Sequence, residues 1–259
     1  MYWNTSVLIM GEAKRRKDLG IPPRDKTEDI KLPQLDKKEI QQKVRNTLYK
    51  YPILYSFRRC PYAMRARFSI RLSGIKVELR EILLKKKPEE FLNASIDGTV
   101  PILVISDEII IQESLDIVNW SLKSKENGVF ELHDPENLLS FCDNDFKMNL
   151  DRYKYPTRYK GINPIHHRNE NVKYLTLLNS KLKYSRFLSS DELSYLDYCI
   201  FPFVRQFRNV DHIWFENLNL SKLNYWYSLI VESLEFNDIM KKYKVWESSD
   251  SPLITNFIT

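Results

Sequence analysis

Cysteine is scarce in this chain: Cys60, Cys142 and Cys199 are the only three in 259 residues. Spaced so widely, they argue against the disulfide framework of a small secreted domain and against the paired spacing of a zinc site, and they fit a reducing compartment. Long apolar runs are missing as well; none reaches the 18 or more residues of a membrane span. Nothing reads as a secretory signal, since Trp3 to Met10 is too short and lacks a basic flank before it. The His166-His167 pair has no further ligand at useful spacing, so it reads as surface and no metal is expected. A cytoplasmic setting without membrane contact is the expectation.

An excess of charge of one sign is also nearly absent from most of the chain. Of the net +6, residues 1–50 hold twelve Lys/Arg against seven Asp/Glu, and the other 209 residues sum to only +1. A basic balance suggests nucleic acid or an anionic surface, but here that argument is confined to the N-terminal segment. Residues 1–35 combine a basic run from Gly11 to Lys17 with the helix breakers Pro22-Pro23 and Pro33, and read as an extended arm. Its basic run could touch RNA or anionic lipid, although a solvated arm is the simpler reading. Asp36 and Glu39 then make a capping box ahead of the stripe Ile40, Val44 and Leu48, a helix that Pro52 ends. Residues 1–51 are accordingly read as an N-terminal extension.

What the rest of the chain contains, at 43% apolar residues overall, is two folded regions. Residues 52–125 alternate strand and helix. Strands are expected at Ile53–Tyr55 and around Val77–Ile82, with a helix from Pro61 to Ser73 stopped by Gly74. A short helix should start at Pro88. Ile102–Ile105 and Ile109–Gln112 form a hairpin, and Glu113-Ser114 opens a further helix. Beyond a linker at 123–132, strand signals disappear, and residues 133–259 read as an all-helical domain. Helices are expected at Leu138–Leu150, at Asn169–Leu182 and after Ser194, where Asp197 completes a capping box and Pro202 implies a kink.

The chemistry concentrates at Tyr55-Ser56-Phe57-Arg58-Arg59-Cys60-Pro61-Tyr62. Proline suits the first helical position, which puts Cys60 at a helix N-terminus, where free N–H groups and the helix dipole favour an anion. Such settings, with arginine alongside, lower a cysteine pKa from about 8.5 to roughly 3.5–7.5. A reactive thiolate is therefore expected. The competing reading is a small buried hydrophobe.

The run from Tyr55 to Arg67 resembles the active-site segment of the cysteine-type glutathione transferases, the omega-like and bacterial members, and Cys60-Pro61-Tyr62 is similar to the glutaredoxin motif with Ala63 in place of a second cysteine. The resemblance covers roughly residues 52–250. It implies an N-terminal α/β thioredoxin-like domain followed by an all-α domain, the glutathione transferase architecture, and a homodimer. Cys60 would be the nucleophile. Val100-Pro101 resembles the family pair whose proline is cis and whose preceding backbone meets glutathione. Glu113-Ser114 resembles the pair that holds the γ-glutamyl end, and Lys87 the lysine that reaches the glycyl carboxylate. Tyr62, Tyr153, Tyr155 and Tyr159 would border the second-substrate pocket.

The activity implied is thiol transfer with glutathione as cosubstrate and a small molecule or mixed disulfide as second substrate. Two alternatives stay open. One is a conjugating enzyme that activates glutathione with a hydroxyl, Ser56 or Tyr55. The other is a non-enzymatic binding or regulatory protein of this fold, to which the basic arm would be suited.

Overall fold

Strand β1 (Ile53–Ser56) puts alternate side chains on opposite faces, as a pleated strand must. Leu54 enters a large core with Met64 and Phe68, while Tyr55 enters a smaller one with Phe91, Val100 and Ile102. The computed structural model describes residues 49–95, 97–123, 134 and 136–258. The basic arm, the helix expected after Asp36 and nearly all of the linker lie outside the described residues.

From β1 the chain turns into α1 (Pro61–Ser73), with Pro61 at its first position and Cys60 at its N-cap in extended backbone. Gly74 ends the helix with φ +73° and bonds its N–H to Ile70 O at 3.0 Å. A side chain would strain that left-handed position. Then follow β2 (Val77–Glu81), α2 (Glu89–Ala94), β3 (Ile102–Val104), β4 (Ile110–Ile111) and α3 (Ser114–Lys123). β1 pairs parallel with β2 and antiparallel with β3, and β3 and β4 form the expected hairpin. This is the thioredoxin-like order read from the sequence, with boundaries displaced by one or two residues.

The second half is helical from α4 (Leu138–Phe141) through a π-helical segment (Cys142–Phe146) and α5 (Lys147–Lys154). A 3₁₀ turn at Pro156–Arg158 precedes α6 (Pro164–Lys181). α6 begins five residues before the position expected, because the Asn163 side chain accepts the N–H groups of Ile165 and His166 and caps it. α7 (Tyr195–Arg208) runs on through Pro202 without interruption. Its buried Asp197 accepts hydrogen bonds from Ser194 N, Leu188 N and Trp226 Nε1 at 2.7–2.9 Å. α8 (His212–Glu216), α9 (Ser221–Val231) and α10 (Leu234–Ile239) complete the helices. Phe201, Phe203 and Phe207 of α7 are fully buried, and each is worth roughly 1.5–3 kcal/mol of apolar burial.

The expectation of helix to the C-terminus is corrected by residues 240–258. They return to the sheet, where β5 (Ile254–Thr255) pairs antiparallel with β2 and gives the order β4-β3-β1-β2-β5. Two residues are too short to leave a periodic signal. The partner is instead supplied by the otherwise bare edge of β2. On the way back Trp246 joins the smaller core, stacks under Arg80 at 4.3 Å and donates its backbone N–H to Glu81 O at 2.8 Å. All the described residues belong to the unit Thr47–Thr259. No helix among them is long and apolar enough to cross a membrane.

Candidate active site

Cys60 is held by the turn that joins β1 to α1. Its N–H bonds to Phe57 O at 3.0 Å, and Pro61 starts the helix directly after it. The thiol is half-buried, and Sγ lies 3.5 Å from Val100 O, the residue before the cis Val100–Pro101 bond. Two candidates forty residues apart in sequence thus meet. The helix N-terminus acts as expected, since the backbone N–H groups of Ala63 and Tyr62 favour the thiolate.

The net direction is not the expected one. Burial pushes the Cys60 thiol up from its ordinary value, against the pull of those N–H groups and of Arg67 and Lys147. Desolvation opposes the charged form, and here it outweighs the helix terminus. The cations also differ from those expected. Arg59 is exposed, with its guanidinium 5.6 Å from the Phe57 ring, and Arg58 meets Glu81 through its backbone N–H at 2.6 Å. Arg67, two turns along α1, is the arginine that favours the thiolate instead. It is 1% exposed and donates to Ser56 Oγ (2.6 Å), Phe57 O (3.4 Å), Arg58 O (2.7 Å) and Ile239 O (2.9 Å). Burial lowers Arg67 to about 10, still cationic at neutral pH. One buried guanidinium therefore fixes the three residues that lead to Cys60 and places positive charge beside them.

This sets a pH dependence. A raised thiol pKa means that the thiolate fraction is small at neutral pH and grows through and beyond about 8.5, the ordinary value. Alkylation of Cys60 by iodoacetamide should therefore keep rising with pH past that point. A plateau already reached at pH 7 would contradict it.

The other expected residues have surroundings of their own. Lys87 is half-buried, and its Nζ stands 3.2 Å from where a Cβ on Gly98 would lie. With φ +61° as well, position 98 suits glycine alone. Ser114 is the first residue of α3 rather than its cap; Glu113 precedes it, exposed, and its carbonyl accepts the Ile117 N–H. The Ser114 hydroxyl is buried and accepts from Arg65 Nη1 at 3.3 Å. Arg65 itself is fully buried. It binds both carboxylate oxygens of Asp143 (2.7 and 3.0 Å) and the Cys199 carbonyl (2.9 and 3.1 Å), tying α3 and α1 to the helical half.

Of the four tyrosines, Tyr62 packs edge-on to Phe203 and lies beneath Lys147, whose Nζ is 5.7 Å from the ring centre. Tyr153 is buried at the edge of the core and packs against Phe207. Tyr155 and Tyr159 are half-buried and carry Arg158 and Arg152 over their rings. Both hydroxyls considered as alternatives are engaged by arginine, Ser56 Oγ by Arg67 and Tyr55 OH by Arg80 at 2.7 Å. Arg65, Arg67, Asp143 and Lys147 were not singled out from the sequence. The arginines stood inside the motif, but nothing in the sequence marked them as buried.

Residues 54–129 match the family model described as "Glutathione S-transferase, N-terminal domain". The chain is 27% identical over 212 residues to glutathione S-transferase omega-1 of Rattus norvegicus, covering 74% of this chain and 73% of the relative. It is 26% identical over 210 residues to the Sus scrofa protein of the same name, with the same coverage. Among solved structures it resembles a glutathione transferase family member from Pseudomonas fluorescens with two glutathione bound (TM-score 0.63, 16% identity, 74% of this chain and 92% of that one). It also resembles a glutathione transferase from Pseudomonas putida with one glutathione disulfide bound per subunit (TM-score 0.62, 17% identity, 74% and 91%). The chain carries a glutathione S-transferase N-terminal domain, and its fold is that of the glutathione S-transferases.

Proposed function

We propose that the protein is a glutathione-dependent thiol transferase that works through Cys60. The observation that carries this reading is the meeting of the Cys60 thiol, the Val100 carbonyl and the N-terminus of α1, with Arg67 and Lys147 favouring the thiolate. In the mechanism, the Cys60 thiolate attacks the glutathionyl sulfur of a mixed disulfide. A Cys60–glutathione disulfide forms, the original S–S bond breaks, and its electron pair leaves on the other sulfur, which takes a proton from solvent. The thiolate of a second glutathione then attacks the glutathionyl sulfur. Glutathione disulfide departs and the Cys60 thiolate is restored.

Glutathione would lie with its backbone along Val100-Pro101, its γ-glutamyl end at Glu113-Ser114 and its glycyl carboxylate toward Lys87. N–H groups at the start of α3 suit a carboxylate. The raised thiol pKa slows this chemistry without forbidding it. One unit of pKa costs tenfold in thiolate fraction but returns about threefold in nucleophilicity, so the net loss is roughly threefold. The hydroxyl alternative has less support, because Ser56 and Tyr55 are each bonded to an arginine. A cytoplasmic homodimer belongs to this reading. The test compares reduction of glutathionyl mixed disulfides with conjugation of glutathione to aryl halides by the same preparation. Faster conjugation than reduction would overturn it.

A further inference from the structure

Of the charged side chains of the helical half, Lys147, the first residue of α5, sits over Tyr62, two residues from Cys60, and favours its thiolate. Its side chain is 17% exposed, its Nζ lies over the Tyr62 ring, and its carboxylate partner is Asp151 one turn on. The two cations acting on Cys60 differ in kind. Arg67 is buried and already donates to four protein oxygens. Lys147 reaches solvent and is held by one partly exposed ion pair, the kind that exchanges partners readily. Lys154 shares its helix face at a spacing of seven. The segment 147–160 holds Lys147, Arg152, Lys154, Arg158 and Lys160 against Asp151 alone. The segment therefore carries a net positive charge that favours an approaching anion, against which Asp143 and Asp151 act at the Tyr62 ring beneath Lys147.

We propose that Lys147 receives a negatively charged group of the second substrate, so that Cys60 prefers glutathionyl mixed disulfides whose other half is anionic close to the sulfur. The inference rests on Cys60 as the nucleophile. Incoming carboxylate replaces Asp151 on Lys147. When the S–S bond breaks, the electron pair moves to the departing sulfur, and the ammonium beside it stabilises that thiolate until solvent protonates it. A lower-energy leaving thiolate departs faster.

The test uses two alkylating reagents of nearly equal size, iodoacetate and iodoacetamide, with labelling at Cys60 read by peptide mass spectrometry. Lys147→Gln should slow iodoacetate about tenfold and iodoacetamide no more than about threefold, the shared part being the weaker thiolate. Lys147→Arg should keep the wild-type ratio. Asp151→Asn should raise it. An unchanged ratio in Lys147→Gln, whether both rates fall together or neither does, overturns the anion site. Parallel assays use the mixed disulfides of glutathione with mercaptoacetate and with mercaptoethanol. Failure of transfer with both, while the labelling ratio still falls in Lys147→Gln, refutes the thiol-transfer reading and leaves the anion site standing. Intact transfer with an unchanged ratio refutes the anion site alone. No labelling of Cys60 by either reagent at alkaline pH removes both.

Discussion

Cys60→Ser should lower the turnover of mixed-disulfide reduction by roughly three orders of magnitude or more, since the step that makes the covalent intermediate is lost. The substitution is mild for the fold. Cys60 makes no side-chain cap bond at the start of α1, and a hydroxyl of similar size can occupy the same N-cap position. Glutathione binding should stay close to wild type, because Val100, Ser114 and Lys87 are untouched. Cys142 and Cys199 cannot take over. Both are buried, and burial drives both thiols upward, Cys199 to about 12. Serine at either position should leave transfer within a few fold. The measurement is reduction rate and glutathione affinity for the three serine variants side by side. Transfer at the wild-type rate in Cys60→Ser would transfer the reading to a hydroxyl mechanism or to a binding protein.

The contrast between Cys60 and its expected behaviour shows which physics a sequence carries. The N-cap placement, the proline start and the glycine stop of α1 are local, and the segment Cys60 to Gly74 predicts all three. Val100-Pro101 and Glu113-Ser114 were legible as motifs, and the fold brings Val100 to the thiol. Burial is not local. The apolar stripe Met64, Phe68 and Leu72 marks one face of α1 as inward, which leaves Arg65 and Arg67 reading as solvent-facing. The helical half covers those faces too, so that both arginines are 1% exposed. Cys60 is covered differently, packed against the smaller core that holds Val100 and Ala63, and burial there pushes its thiol up rather than down. β5 was invisible for a related reason: a two-residue strand exists through its partner, not through its own pattern.

Asp143→Ala should destabilise the protein by about 3 kcal/mol, the lower end of the range for breaking a buried ion pair from one side. The Arg65 side chain is wholly inaccessible, and Asp143, on the π-helical segment, supplies both of the oxygens that balance it. Removal leaves a guanidinium in the interior with the Cys199 carbonyl and the Ser114 hydroxyl as its remaining acceptors. Asp143 is itself 23% exposed, so water can enter to replace part of what is lost, which sets the estimate at the lower end. For a chain of this size the loss corresponds to a fall in Tm of roughly 6–12 °C. The exposed pair Lys173–Glu170 serves for comparison: Glu170→Ala should leave the melt close to wild type. Asp143→Asn, which keeps one acceptor, should fall between. A second effect follows from Ser114. With Asp143 gone, Arg65 draws harder on that hydroxyl and shifts the start of α3, so glutathione affinity should weaken together with Tm. Thermal melts and glutathione titrations on the three variants check both. A melt unchanged in Asp143→Ala would mean that Arg65 is not held by this pair, and unchanged glutathione affinity beside a lowered Tm would detach Ser114 from the glutathione site.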